Sequence, residues 1–211
     1  MGKKWSVTPA GNMKYTYLTH PEKIMGTPLM TDDSLTTFTD LTSCPALYGF
    51  ISHANSDQLT GSSHANGYFS YDRSRLNTIR HGPNGDGWQA GSTSVGEYIQ
   101  ADFGTVRRLE NVITQGWSSN LDYYYVTSYR FAYSVDDVTY TFVSNPDGSD
   151  KIFTGNADDD TPVQNDFNPV LVARYVRLHP QTWHGAIALR WDVSGCDIGE
   201  HFLCLSAYLP L

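Results

Sequence analysis

Along the second half of the chain, apolar and polar positions alternate in short runs. In YRFAYSV, Tyr129, Phe131, Tyr133 and Val135 share one side, and Arg130, Ala132 and Ser134 share the other. VTYTF sets Val138, Tyr140 and Phe142 against threonines, and AIALRWDV sets Ile187, Leu189, Trp191 and Val193 against Ala188, Arg190 and Asp192. A period of two is that of a pleated strand with one buried face. YIQADF, LENVIT and ARYVRLHP read as further strands, and Asp136-Asp137 suits a hairpin turn between two of the runs. The connecting stretches HGPNGDG, SNPDGSD and TGNADDDTP are built of turn residues. No segment carries a long helical period. Many short strands punctuated by turns predict an all-β sandwich or barrel.

Residues 1–43 differ: they are polar, interrupted by proline and weakly periodic, and are predicted to be a lead-in or linker. The whole chain has 211 residues, room for one domain with appendages or two small ones. Hydrophobic residues make up 40% and aromatic residues 13%, enough for a sizeable core, while charged residues are only 17%. Ser, Thr, Asn, Gly and Tyr fill the difference, a profile that suits strands better than helices.

Net charge is −8, with no Lys/Arg-rich run, which argues against nucleic acid as a partner. No apolar stretch is long enough to span a bilayer as a helix. The N-terminal MGKKWSVTPAGNMKYTY lacks the apolar core of a signal peptide. MGKKWS does fit the short Met-Gly-x-x-x-Ser pattern for N-myristoylation, which would imply a cytosolic protein and stays open. The catalytic signatures G-x-S-x-G, H-E-x-x-H, the phosphate-binding P-loop and the dinucleotide fingerprint are all missing, so no enzyme chemistry is expected.

The cysteines are Cys44, Cys196 and Cys204, spaced for neither a zinc site nor a redox pair. Cys44 stands just before the first strand candidates and Cys196 just after the last. That placement favours a bridge over two unrelated buried thiols.

From CPALYGF to WDVSGC the chain resembles the discoidin family, also called the coagulation factor V/VIII type C domain. The likeness is carried in order by SRLN (74–77), Trp88, EYIQADFG (97–104), VITQGW (112–117), YVTSYRFAYSVD, FTGNADDDTPV, ARYVRLHPQTWHGAIALR and the closing Gly-Cys. The resemblance implies a jelly-roll β-sandwich over residues 44–196 with protruding spike loops, closed by a Cys44–Cys196 disulfide and made in an oxidising, extracellular compartment. Residues 197–211 form a tail outside it that leaves Cys204 unpaired.

In such domains loops at one end of the sandwich present side chains to a ligand. The resemblance makes SSHANGYFSYD the first spike, SSNLDYYYV (118–126) another, and WQAGSTSVG (88–96) a third. The expected binding residues are Asn66, Tyr68, Phe69, Arg73, Thr93, Asn120, Leu121, Asp122 and Tyr123. Of these, Tyr68, Phe69, Leu121 and Tyr123 are expected to be exposed. Arg73 and Arg75 could equally brace the body, and Tyr71 could face inward. Trp88, Trp183, Trp191, Tyr125 and Val126 read as core, and Arg190 is expected to pair with Asp102 or Asp192. His184 in TWHG tempts a catalytic reading, but the family often carries histidine there.

Family members bind phosphatidylserine membranes, glycans, collagen or peptide C-termini. Residues 44–196 hold ten Lys plus Arg against sixteen Asp plus Glu, a net of −6, which disfavours an anionic membrane. Thr93 stands where members that bind a C-terminal arginine place an acid. Tyrosine- and asparagine-rich loops suit sugars, so the expected partner is a glycan or glycoprotein, in cell adhesion and without catalysis. A phospholipid surface and a secreted matrix scaffold are the alternatives. No cofactor is expected. The acids around Asp158, Asp159, Asp160 and Asp166 lack EF-hand spacing and read as a solvated turn; a structural calcium near Asp57 or Asp72 stays open.

Overall fold

The computed structural model of the chain describes residues 44, 46–81, 84–118 and 122–198, together with the backbone of 3–7 and 13–17. The chain divides into two compact units, Met1–Asp40 and Leu41–Leu211. In the first, strands β1 (Lys3–Val7) and β2 (Met13–Tyr17) pair antiparallel, a pairing that the weak periodicity of this stretch did not predict.

The second unit is all-β, as expected. Its strands are β3 (Tyr48–Gly49), β4 (Leu59–Gly61), β5 (Trp88–Gln89), β6 (Ile99–Gln115), β7 (Trp117–Ser118), β8 (Tyr123–Ser134), β9 (Thr141–Phe142), β10 (Phe153–Thr154), β11 (Val163–His184) and β12 (Ala188–Asp197). One curled antiparallel sheet runs β10-β8-β11-β6-β12-β3, with β4 added to β6, β5 to β12, and β7 and β9 to β8. Among the described residues the helical segments are short turns: α1 (Phe50–His53) and three 3₁₀ turns, Ser56–Gln58, Gly67–Phe69 and Tyr71–Ser74.

YIQADF and LENVIT, read as separate strands, belong to one 17-residue strand, β6. The intervening Gly104 adopts φ +76 and its N–H is held by the Asp102 carboxylate at 2.7 Å, so the chain bends without leaving the ladder. ARYVRLHP likewise lies inside the 22-residue β11, which absorbs two register shifts against β6 and two against β8. VTYTF is a correction in the other direction. Only Thr141–Phe142 is strand, and Val138 is 83% exposed. The Asp136 carboxylate accepts the N–H groups of Val138 and Thr139, and Asp137 takes φ +62, so the turn consumes the first half of that run.

The core is the inward row of each long strand. Trp88, Ile99, Leu109, Val112, Tyr129, Phe131, Leu178, Leu189 and Trp191 are fully buried, and Tyr129 stacks on Phe153 with ring centroids 5.4 Å apart. Trp183 packs against this core half-buried. β12 is buried on both sides, so its polar row, Arg190 and Asp192, needs partners inside the protein. The expected pairing of Arg190 with Asp102 or Asp192 is wrong. Arg190 donates to the carbonyls of Gly116 at 2.6 Å and Asp159 at 2.9 Å and pairs with Asp160 at 3.1 Å. Asp102 is held instead by a two-pronged contact from Arg174, and Asp192 accepts the Ile51 and Ser52 backbone N–H groups at the start of α1. Local geometry decides this: the turn at 158–161 comes within reach of Arg190, whereas Asp102 lies toward the far end of β6.

Cys44 and Cys196 form the expected disulfide, with Cα atoms 5.6 Å apart and 152 residues between them in sequence. The bridge ties the start of the domain to its last strand. Cys204 lies outside the described residues.

Candidate functional site

Four loops are joined into one rim, and each join can be traced to particular atoms. The first loop, 62–74, opens with two serines. Ser63 Oγ at 2.6 Å, Ser92 Oγ at 2.6 Å and Ser62 Oγ all donate to the Glu97 carboxylate. Burial works to raise the acid's pKa, but these three donors outweigh it and hold Glu97 below the ordinary carboxyl value. The Ser63 carbonyl accepts from the buried Trp88 Nε1 at 3.0 Å, and the Ala65 N–H donates to the Gln89 carbonyl at 2.9 Å. The loop 91–96 is therefore fastened to the loop 62–65.

The second join is aromatic. Phe69 stacks on Trp117, centroids 5.1 Å apart with 20° between planes, and Trp117 meets Tyr124 at 5.0 Å. Trp117 begins β7, which pairs with β8 through Trp117–Tyr124 and Ser118–Tyr123, so this hairpin is clamped to the first loop by rings. Glycines make the contact possible. A Cβ at Gly85 would run into the Phe69 ring, and one at Gly87 into Trp117.

The third join is Arg73. Its Nε donates to the Gly85 carbonyl at 2.7 Å and its Nη2 to the Ile79 carbonyl at 2.6 Å, while the Gly85 N–H donates to the Tyr68 carbonyl at 2.8 Å. Residues 78–81 and 84–87 thereby join the rim. They were read only as a connection, yet they carry Ile79, 79% exposed, followed by the exposed Arg80 and His81.

The sequence-derived residues divide accordingly. Tyr68 and Tyr123 stand out at 50% and 60% exposure. Asn66 is exposed, and its Oδ1 accepts the Tyr68 N–H at 2.8 Å, shaping the turn that lifts Tyr68. Thr93 is exposed in the 91–96 loop. Asp122 is exposed and accepts from the Tyr124 hydroxyl; with burial, that contact raises the phenol's pKa. Phe69 departs from expectation: it is half-buried against Trp117 and acts as the clamp, not as a tip. Arg73 is engaged with backbone carbonyls, a bracing role. Asn120 and Leu121 lie outside the described residues.

The other candidates resolve similarly. Arg75 donates to the carbonyls of Asp72 and Ala54, so it too braces the body. Tyr71 is half-buried, packs on the core and donates to the Gly61 carbonyl at 3.1 Å. Val126 is buried, whereas Tyr125 is half-buried and stacks on His184, centroids 4.9 Å apart. Asp158 caps its own turn through the N–H groups of Asp160 and Thr161, which accounts for that acidic stretch. Among the described residues no three His, Cys, Asp or Glu side chains gather to hold a metal ion, so Asp57 and Asp72 belong to no such group. Glu97 and Trp117 are rim residues that the sequence reading missed. The available signal was an acid and a tryptophan bordering loops rich in serine and tyrosine.

The family profile described as F5/8 type C domain matches residues 58–193. Coagulation factor VIII of Canis lupus familiaris is 38% identical over 161 residues, covering 75% of this chain and 7% of that protein. Lactadherin of Mus musculus is 42% identical over 109 residues, covering 52% of this chain and 23% of that one. The chain thus matches less than a quarter of the length of either relative. Among solved structures, discoidin II from Dictyostelium discoideum gives a TM-score of 0.65 at 24% identity, covering 74% of this chain and 60% of that one. The family 32 CBM from C. perfringens NanJ, in complex with galactose, gives 0.52 at 11% identity, covering 71% and 99%. At these identities the two structures share the fold with this chain.

Proposed function

We propose a ligand-binding role for the rim on one premise: the chain belongs to the F5/8 type C, or discoidin, family, whose domains are recognition modules. The role is non-catalytic recognition of a glycan or glycoprotein outside the cell, in adhesion. The observation that carries it is the rim itself, in which Tyr68, on the first loop, and Tyr123, at the start of β8, are exposed beside the Phe69–Trp117–Tyr124 rings. A tyrosine face offers a flat apolar surface to the C–H face of a sugar ring, and its hydroxyl offers a hydrogen bond. Asn66, Thr93 and Asp122, all exposed, add amide, hydroxyl and carboxylate groups suited to sugar hydroxyls. Bracing matters because a held side chain gives up less entropy on binding. The Cys44–Cys196 bridge supports an oxidising compartment.

A second reading, an anionic membrane surface, is supported by Ile79, 79% exposed and followed by Arg80 and His81. An apolar tip beside a cation is the chemistry a leaflet would meet. A glycan array, run beside sedimentation with phosphatidylserine vesicles, separates the two. Saccharide binding lost in Tyr68→Ala supports the first; vesicle binding lost in Ile79→Ser and unaffected by saccharide supports the second. Binding to neither would remove both.

A further inference from the structure

The rim contains two Asn-Gly pairs, Asn66-Gly67 and Asn84-Gly85, and the structure treats them oppositely. Such a pair is chemically fragile, because the glycine nitrogen, unshielded by a side chain, can attack the asparagine carboxamide.

At Asn66 the local setting favours that attack. The residue is exposed and extended, with φ −169 and ψ 178. Its Oδ1 accepts the Tyr68 N–H at 2.8 Å, a bond that spans Gly67 and keeps the carboxamide beside the Gly67 peptide. The same bond draws electron density from Cγ. No hydrogen bond among the described residues engages the Gly67 N–H, and nothing lies within 4 Å of where a Gly67 Cβ would stand. Rotation about the Asn66 ψ, which the attack requires, meets no steric obstacle at Gly67 and has only to release the contacts of the Asn66 carbonyl within its own turn, the Phe69 N–H at 3.1 Å and His64 Nδ1 at 2.9 Å.

At Asn84 the same dipeptide is locked. The Gly85 N–H donates to the Tyr68 carbonyl at 2.8 Å, the Gly85 carbonyl accepts from Arg73 Nε at 2.7 Å, and the Phe69 ring covers the Gly85 Cα. The nucleophilic nitrogen is already a hydrogen-bond donor in a buried backbone, so attack requires the rim to open first.

We propose that Asn66 is a spontaneous deamidation site that changes the charge of the rim, and that Asn84 is protected by the fold. The Gly67 nitrogen bonds to Asn66 Cγ, and the Cγ–Nδ2 bond breaks. Ammonia leaves with the proton from the Gly67 amide, and a five-membered succinimide remains. Water then adds to either ring carbonyl and reopens the ring, giving aspartate or isoaspartate at position 66. The balance is one water consumed and one ammonia released, with a gain of about 1 Da. The product places a carboxylate next to the exposed Tyr68, and in the isoaspartate form adds a backbone atom to the turn that presents it.

The test is peptide mapping by mass spectrometry of the full chain, folded and oxidised, incubated at mildly alkaline pH, with isoaspartate labelled by its methyltransferase. The Asn66 peptide is expected to convert about tenfold or more faster than the Asn84 peptide, because Asn66 has only to loosen its own exposed turn, whereas Asn84 must wait for the rim around the buried Gly85 to open. In the reduced, denatured chain the two are expected to convert at similar rates. Gly67→Ala, which the open space tolerates, should slow the Asn66 conversion with an unchanged melting temperature. Equal rates in the folded protein, a faster Asn84, or no conversion at either position would overturn the proposal. All these readings are independent of any ligand, so they stand apart from the binding role of the rim.

Discussion

The ring of Phe69 lies on that of Trp117, centroids 5.1 Å apart and 20° from parallel, and this single contact joins two loops 48 residues apart in sequence. Neighbouring aromatics in one 3₁₀ turn thereby take opposite roles. Phe69 turns inward to hold the rim, and Tyr68 remains outside it.

That division gives the first expected outcome. Phe69→Ala should cost about 1–3 kcal/mol of stability, below the range for a fully buried phenylalanine because the ring is half-covered. Tyr68→Ala should leave stability within about 0.5 kcal/mol, as for surface changes generally. Urea titrations of the two variants check the contrast, and equal losses would show that the ring roles are misassigned.

Glycine substitutions separate the tight part of the rim from the open part. Gly85→Ala puts a methyl group into the Phe69 ring and should cost about 1–3 kcal/mol. Gly67→Ala meets nothing and should be tolerated. Thermal unfolding followed by circular dichroism distinguishes them.

Two of the groups that shape the response to acid, His179 and Glu97, act in different pH windows. Burial, with Arg130 and Arg177 nearby, pushes the His179 pKa down to about 4. The unfolded chain therefore takes up a proton that the folded one refuses. Stability should fall as pH drops from about 6.5 to about 4, by up to roughly 3 kcal/mol. His179→Gln should flatten that window. Glu97 acts lower. Its folded pKa lies below the ordinary value, so its contribution is present above about pH 4.5 and is lost as pH falls through the folded value. Glu97→Gln should weaken this lower limb, to which the likewise lowered Asp102, Asp136, Asp147 and Asp158 also contribute, while leaving the His179 window in place. Stability measured across the acid range reads both.

Much of this fold was legible in the chain. The alternation in AIALRWDV gave β12, the placement of Cys44 and Cys196 gave the bridge, and the loops rich in Ser, Asn and Tyr marked the ends of strands. What stayed hidden depends on contacts between segments far apart in sequence. Nothing in YFSYD says that Phe69 will find Trp117. Nothing near Arg190 says that the turn around Asp159 will offer it a carbonyl. The Glu97 site draws serines from two loops, so its logic appears only once the residues leading into β6 bring Glu97 between them. Val138 was misread for a local reason, since the Asp136 side chain captured the backbone that would have made a strand.

Reduction of the Cys44–Cys196 bridge should lower stability substantially. Closing so long a loop limits the unfolded chain by roughly 5 kcal/mol in the chain-entropy account. Denaturant titrations with and without reductant check it, and an unchanged midpoint would mean that the sheet holds without its bridge.

The central claim is that Tyr68 and Tyr123 read the ligand while the rings beneath them only hold position. Isothermal titration of the saccharide selected on the array, against the native chain and the Tyr68→Ala, Tyr123→Ala double variant, tests it most directly. The expected result is affinity reduced at least about tenfold, equivalent to about 1.4 kcal/mol, at an unchanged melting temperature. Native affinity in the double variant would contradict the account.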